Sequence, residues 1–147
     1  MSDIPIDAPE LEDSPAERFS QARTAQSQAL LEDYTEMIDD LIRDHGEARI
    51  TDIARQMGVT HPTATKAVAR LKREGLASAR PYRGVFLTEA GLAMAERVRL
   101  RHRVVVDLLC AVGVPPDAAE IDAEGIEHHV SDATLQAFEN WLARKAG

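Results

Sequence analysis

Residues 51–75 read Thr51-Asp52-Ile53-Ala54-Arg55-Gln56-Met57-Gly58-Val59-Thr60-His61-Pro62-Thr63-Ala64-Thr65-Lys66-Ala67-Val68-Ala69-Arg70-Leu71-Lys72-Arg73-Glu74-Gly75. They hold two short helical patterns, each closed by a glycine. Thr51 is placed to cap the first helix and Gly58 to end it, while Thr60 or His61 opens the second with Pro62 in its first turn. This is helix-turn-helix spacing. In the second helix Ala64, Ala67, Val68 and Leu71 share one face, Pro62, Lys66 and Arg73 lie opposite, and Thr63 and Arg70 lie beside them. Leu76-Ala77-Ser78-Ala79-Arg80 and Val85-Phe86-Leu87-Thr88 then flank Pro81-Tyr82-Arg83-Gly84, whose turn-forming residues predict a hairpin, the wing of a winged helix.

Such a unit has a chemistry suited to duplex DNA. The N-terminal end of the second helix would enter the major groove, where the Thr60 hydroxyl and the carbons of Pro62 and Thr63 meet base edges and thymine methyls, and Lys66 bonds guanine or phosphate. Arg70, Arg73 and the wing Arg83 would grip phosphates, which gives affinity without sequence information. The alternative is that these cations merely solvate a surface helix; the succession of helix, glycine turn, helix and basic hairpin is more specific than charge alone. Taken over the whole chain, the net charge of −8 opposes a nucleic-acid partner. Its distribution removes the objection: residues 1–45 carry twelve acids and three bases, residues 46–88 three acids and eight bases, and residues 89–147 ten acids and six bases. Only the block holding the helix-turn-helix is basic, and attraction to phosphate depends on the local field.

Outward from this block the chain reads as mainly helical. Residues 1–22 contain three prolines and many acids and are expected to form a disordered acidic arm. From about Thr24 the pattern turns helical: Leu30, Tyr34, Met37, Ile38, Leu41 and Ile42 recur at helical intervals up to Gly46, with Asp33, Glu36 and Asp40 flanking the stripe and Asp39 on the outer side. Residues 23–88 are therefore expected to form a winged helix-turn-helix domain and residues 89–147 an α-helical domain. The latter begins with a long helix from Thr88 to about Val112, bearing His102. After Gly113-Val114-Pro115-Pro116 comes a short helix from Ala118 that leads into residues 122–130, and then a last helix capped by Ser131 and carrying Leu135, Phe138, Trp141 and Leu142. These pieces are too short and apolar to stand alone, which predicts a symmetric dimer.

In that second domain, Glu124-Gly125-Ile126-Glu127-His128-His129 places Glu124, Glu127 and His128 at i, i+3 and i+4, so that their heads share a helical face and His129 points elsewhere. Two oxygen donors and one nitrogen make an incomplete shell for a first-row divalent ion, so further ligands must come from other segments. His102, Asp33 and Glu36 are candidates. Singly, each reads as an ordinary histidine or a solvated acid; together they join the start of the DNA-binding half to the second half.

Leu31-Glu32-Asp33-Tyr34-Thr35-Glu36, Ile53-Ala54, Pro62-Thr63, Lys66, Tyr82-Arg83-Gly84, Arg101-His102 and Glu124-Gly125-Ile126-Glu127-His128-His129 resemble the manganese transport regulators, a branch of the diphtheria toxin repressor family. The resemblance covers about residues 30–140. It implies a dimeric winged-helix repressor that binds palindromic operators when loaded with Mn(II) and shuts off manganese uptake genes. It also implies the ligand set Asp33, Glu36, His102, Glu124, Glu127 and His128, arranged as a two-metal site with bridging carboxylates. Carboxylates and imidazoles are hard or borderline donors, which suit Mn(II), with Fe(II) as an alternative. A winged-helix regulator answering a small organic ligand is the other alternative. An enzyme is not expected: di-metal oxygenases take Glu-x-x-His motifs from two helices, and neither that spacing nor His-Glu-x-x-His occurs. No apolar run is long enough to span a membrane and no signal peptide is evident, so a cytoplasmic location is expected. Cys110 is expected to be a small core residue.

Overall fold

The computed structural model describes residues 14–146 and is mainly α-helical. Helix α1, Pro15–His45, begins at a capping box: the Glu17 amide donates to Ser14 Oγ at 3.2 Å, and the Ser14 amide donates to Glu17 Oε2 at 3.1 Å. The arm expected over residues 1–22 is therefore corrected from Pro15 onward, because the Ser-Pro-Ala-Glu signal starts the helix nine residues before Thr24. The rest of the expected arm lies outside the described residues. Toward its C-terminal end α1 buries Leu31, Tyr34, Ile38 and Leu41.

That stripe nucleates the core. Helices α2, Ile50–Met57, and α3, His61–Arg73, pack Ile53, Ala54, Ala64, Val68 and Leu71 onto it. The cap of α2 is Arg49, without a side-chain hydrogen bond, and not Thr51. Thr60 does cap α3, accepting from the Thr63 amide. Strands β1, Ala77–Arg80, and β2, Gly84–Leu87, pair antiparallel with Ala77 opposite Leu87 and Arg80 opposite Gly84. The Val85 amide also donates to the Ala48 carbonyl at 2.8 Å, which ties the wing to the segment between α1 and α2. Gly84 stands at φ +85°, and a Cβ there would sit 2.5 Å from the Ala48 carbonyl oxygen, so only glycine fits.

Helix α4, Glu89–Ala111, capped by Thr88, crosses back against α1, packing Met94 and Val98 into the same core. Arg99 on α4 pairs with Asp39 and, at 2.5 Å, with Asp40. Asp39 is thus buried against α4 rather than on the outer side of α1. Helix α5, Pro116–Ile126, starts earlier than Ala118, and the chain then tightens into a 3-10 turn, Glu127–His129, before α6, Asp132–Ala146. The Ser131 hydroxyl accepts from the Thr134 amide at the start of α6. Cys110 is exposed, a correction of its expected core placement. Ile121, Ile126 and Val112 also face outward, and α6 buries no residue fully.

Candidate metal centre and nucleic-acid interface

Four elements converge where α1 meets α4, the end of α5 and the 3-10 turn after it. Asp33 and Glu36 come from α1, His102 from α4, Glu124 from the last turn of α5, and Glu127 and His128 from the 3-10 turn. Two groups of donor atoms form there: Asp33, Glu127 and His128, and His102, Glu124 and Glu127. Glu127 belongs to both. Glu124, Glu127 and His128, at i, i+3 and i+4, do not face one point as a continuous helix would have them. The switch from α to 3-10 winding turns Glu127 inward and sends Glu124 and His128 to different groups.

In the inner group His128 Nε2 lies 2.7 Å from Asp33 Oδ1 and 3.3 Å from Glu127 Oε1. Neither contact is aligned as a hydrogen bond, so Glu127 Oε1 and His128 Nε2 are buried polar atoms without a hydrogen-bond partner. Such atoms are costly unless something else satisfies them. Their donor types, one carboxylate oxygen and one imidazole nitrogen aimed at shared space beside a second carboxylate, fit a divalent cation. In the outer group His102 Nδ1 lies 2.6 Å from Glu127 Oε2 and 3.6 Å from Glu124 Oε1. Glu36 stands outside both tight groups. It borders two clefts, one shared with Asp33, Asp40 and Glu124, the other with Arg99, His102 and Glu120.

The titration behaviour reflects this crowding. Burial pushes the Glu127 carboxyl up to about 7; the nearby Glu124 charge adds to the shift, and the His102 hydrogen bond opposes it. Burial and then the charges of Glu124 and Asp40 raise Glu36. The carboxylates of Asp33 and Glu32 push the His128 imidazolium up to about 10 against its burial. Burial alone would lower His102, but Glu120, Glu127 and Glu124 together raise it. Carboxyl groups raised by one another's charge, around imidazoles whose protons those carboxylates favour, form a cluster whose energy depends on the positive charge it holds.

Two neighbours escaped the sequence reading. Glu32 Oε2 lies 2.7 Å from His128 Nδ1, and Glu120 Oε2 lies 2.7 Å from His102 Nε2. The signal for Glu120 was present: it precedes Glu124 by four residues and shares its face of α5.

In the helix-turn-helix, Thr60 at the cap of α3 and Pro62, Thr63, Lys66 and Arg73 along it are exposed, and Arg83 is exposed at the wing tip beside Tyr82. The Thr60 and Thr63 hydroxyls lie 2.9 Å apart, fixing the first turn of α3. Arg70 differs from the others. It is half-buried, donates to the Ser27 carbonyl of α1 at 3.5 Å and reaches Glu74 at 4.0 Å, so its guanidinium is turned back onto the protein.

Residues 28–85 match the family model described as "Iron dependent repressor, N-terminal DNA binding domain", and residues 88–144 match "Iron dependent repressor, metal binding and dimerisation domain". The chain is 48% identical over 127 residues to the transcriptional regulator MntR of Escherichia coli O157:H7, covering 86% of this chain and 82% of that one. It is 40% identical over 117 residues to the HTH-type transcriptional regulator MntR of Listeria monocytogenes serotype 4a, covering 75% of this chain and 82% of that one. Among solved structures, the manganese regulator SloR superposes with a TM-score of 0.67 at 28% identity, over 77% of this chain and 53% of that one.

Proposed function

This chain belongs to the iron-dependent repressor family, and we propose that within it the protein is a manganese-responsive transcriptional repressor. It binds palindromic operator DNA as a metal-loaded homodimer and controls manganese uptake genes in the cytoplasm. Asp33, Glu127 and His128 would hold one Mn(II), and His102, Glu124 and Glu127, with Glu36 at the border, a second. The observation that carries this reading is the pair of buried, unpartnered donor atoms on Glu127 and His128, beside Asp33 of α1.

A bound divalent cation supplies the charge that relieves the repulsion among these carboxylates. The protein's own residues turn that into a change at DNA. Asp33 and Glu36 sit on α1, and the same helix packs on α2, α3 and β2. Drawing α1 toward α4 and the 3-10 turn therefore fixes the helix-turn-helix relative to the second half. In a dimer that covers exposed apolar side chains of the second half such as Ile121, Ile126 and Val112, the same movement would set the spacing of the two α3 helices, which must match half-sites one DNA turn apart. Thr60, Pro62, Thr63 and Lys66 would read bases, and Arg73 and Arg83 would hold phosphates.

The test is operator affinity measured in excess chelator and in Mn(II). A coupling of about 1–3 kcal/mol, roughly 5- to 150-fold, is expected. Equal affinity under both conditions overturns the reading. Fe(II) is the second candidate, because the matching family models describe iron-dependent repressors and the donors accept either ion; competition between the two ions in the same assay decides it.

A further inference from the structure

An imidazole ligates a metal through one ring nitrogen, and which one is set by what the other nitrogen bonds. Both histidines of the centre are gripped on their far side by a carboxylate outside the two ligand groups. We infer that Glu32 and Glu120 are positioning residues that fix the tautomers of these histidines, so that His128 presents Nε2 and His102 presents Nδ1 to the metals. The inference rests on the metal reading above and adds how its nitrogen ligands are oriented.

Around His128 the geometry is tight. Consecutive residues of α1 clasp one ring from opposite edges: Glu32 Oε2 is 2.7 Å from Nδ1, and Asp33 Oδ1 is 2.7 Å from Nε2. The Glu32 contact is an aligned hydrogen bond, whereas the Asp33 contact is not. An ionised carboxylate accepts but cannot donate, so Nδ1 must carry the hydrogen, leaving Nε2 as the atom whose lone pair can be released. The His128 side chain is 5% exposed and that of Glu32 12%, so water does not readily take Glu32's place. His102 differs in being hydrogen-bonded at both nitrogens: Nε2 meets Glu120 Oε2 at 2.7 Å and Nδ1 meets Glu127 Oε2 at 2.6 Å, with Glu124 Oε1 at 3.6 Å. Nδ1 is assigned to the metal because Glu127 and Glu124 belong to a ligand group and Glu120 does not. Glu120 is 62% exposed, and water can substitute for it. The two positions therefore differ in how much each carboxylate matters.

Glu32 also borders a cavity of about 320 Å3 lined in part by Gln28, Arg97 and Arg101. Its truncation enlarges a cavity of mixed lining, which also includes Ala25, Met94 and Val98, and removes no buried apolar side chain. Outer carboxylates of this kind typically change metal affinity by about 10- to 100-fold. Glu32→Ala is expected to weaken Mn(II) binding in calorimetry by roughly that factor, and Glu120→Ala by only a few-fold. The independent readout is long-range proton–nitrogen correlation on histidine-labelled protein loaded with Cd(II), a diamagnetic stand-in. It should show Nε2 of His128 and Nδ1 of His102 on the metal, with hydrogen on the opposite nitrogens. Glu32→Gln, whose amide oxygen still accepts from Nδ1–H, should keep that pattern and restore most of the affinity, which keeps the test decisive even if Glu32→Ala folds poorly. Reversed nitrogens in the parent protein, or Mn(II) binding by Glu32→Gln and Glu32→Ala both equal to the parent, would overturn the inference while leaving the metal reading standing. A parent protein that binds no Mn(II) would overturn both.

Discussion

The two halves of the molecule are held together by different forces. Around α2, α3 and the wing the packing is apolar: Ile53, Val68, Leu71 and Val85 are buried against Tyr34 and Ile38 of α1. Where α1 meets α4 and the end of α5, Met94 and Val98 continue that packing, but the junction adds Asp33, Glu36, Glu127, His128 and the Arg99–Asp39 pair, and the small Ala119 and Ala123 are the fully buried positions of α5. Apolar burial does not respond to protons or to a stoichiometric cation, whereas a cluster of carboxylates changes its energy with every proton or cation that enters. The difference teaches that the DNA-reading unit is built to keep its shape while its attachment to the rest is built to respond.

The largest expected effect lies in the insensitive half. Leu71→Ala removes a fully buried side chain and should cost about 2–5 kcal/mol in denaturant unfolding. Mn(II) should not alter that loss. If the deficit disappears on adding metal, the two halves are not energetically distinct.

An effect of similar size, confined to the responsive half, is metal stabilisation itself. At about a hundred times the dissociation constant, each site should add about 2.7 kcal/mol to the unfolding free energy. Because Glu127 belongs to both ligand groups, Glu127→Ala should abolish the whole increment, whereas Asp33→Ala should remove only the part owed to the inner group. Equal losses in the two variants would break the picture of a shared carboxylate.

Protons should act on the same half with a defined sign. Glu127 is raised from 4.5 to about 7 and His128 from 6.5 to about 10. Both groups bind protons more tightly when folded. The contribution of Glu127 is thus full below about 4.5 and lost as pH rises through about 7, and that of His128 is full below about 6.5 and lost as pH rises through about 10. Metal-free protein should lose stability across this window. Mn(II) affinity should rise across it, because the ion displaces these protons, and calorimetry in buffers of different ionisation enthalpy should detect their release. Affinity independent of pH from 6 to 9 would exclude Glu127 and His128 as ligands.

The contrast between the halves also explains what was legible in the sequence. Helix-turn-helix and wing were readable because apolar periodicity, the Gly58 turn and the Pro81–Gly84 tip are local signals that packing obeys. The start of α1 was readable too, in Ser14-Pro15-Ala16-Glu17, but the surrounding acids and prolines masked it. Asp39 was misplaced because its partner Arg99 lies on another helix, and no periodicity within α1 reveals that pairing. The six proposed ligands sit around one junction, yet their division into two groups depends on the 3-10 turn at Glu127, a change of winding that spacing alone does not show. Glu32 and Glu120 were hidden because a carboxylate's role beside a histidine is fixed by three-dimensional approach, not by sequence separation.

The smallest effect separates two arginines that the sequence treats alike. Arg83 is exposed at the wing tip, whereas Arg70 is half-buried and spends its guanidinium on the Ser27 carbonyl and on Glu74. Each phosphate contact releases about 0.9 counterion, so Arg83→Ala should flatten the log–log dependence of operator affinity on salt by nearly two units for a dimer. Arg70→Ala should leave that slope unchanged, since a guanidinium already committed to α1 releases no counterion on docking. Thr63→Ala should likewise keep the slope while eroding discrimination between operator and random DNA, because its contact is to a base edge. All three measurements belong in Mn(II), where the reading helices are held in register. If Arg70→Ala flattened the slope as much as Arg83→Ala, α1 would have to release Arg70 on DNA binding. The DNA-reading half would then share in the movement of the metal junction and would not keep its shape.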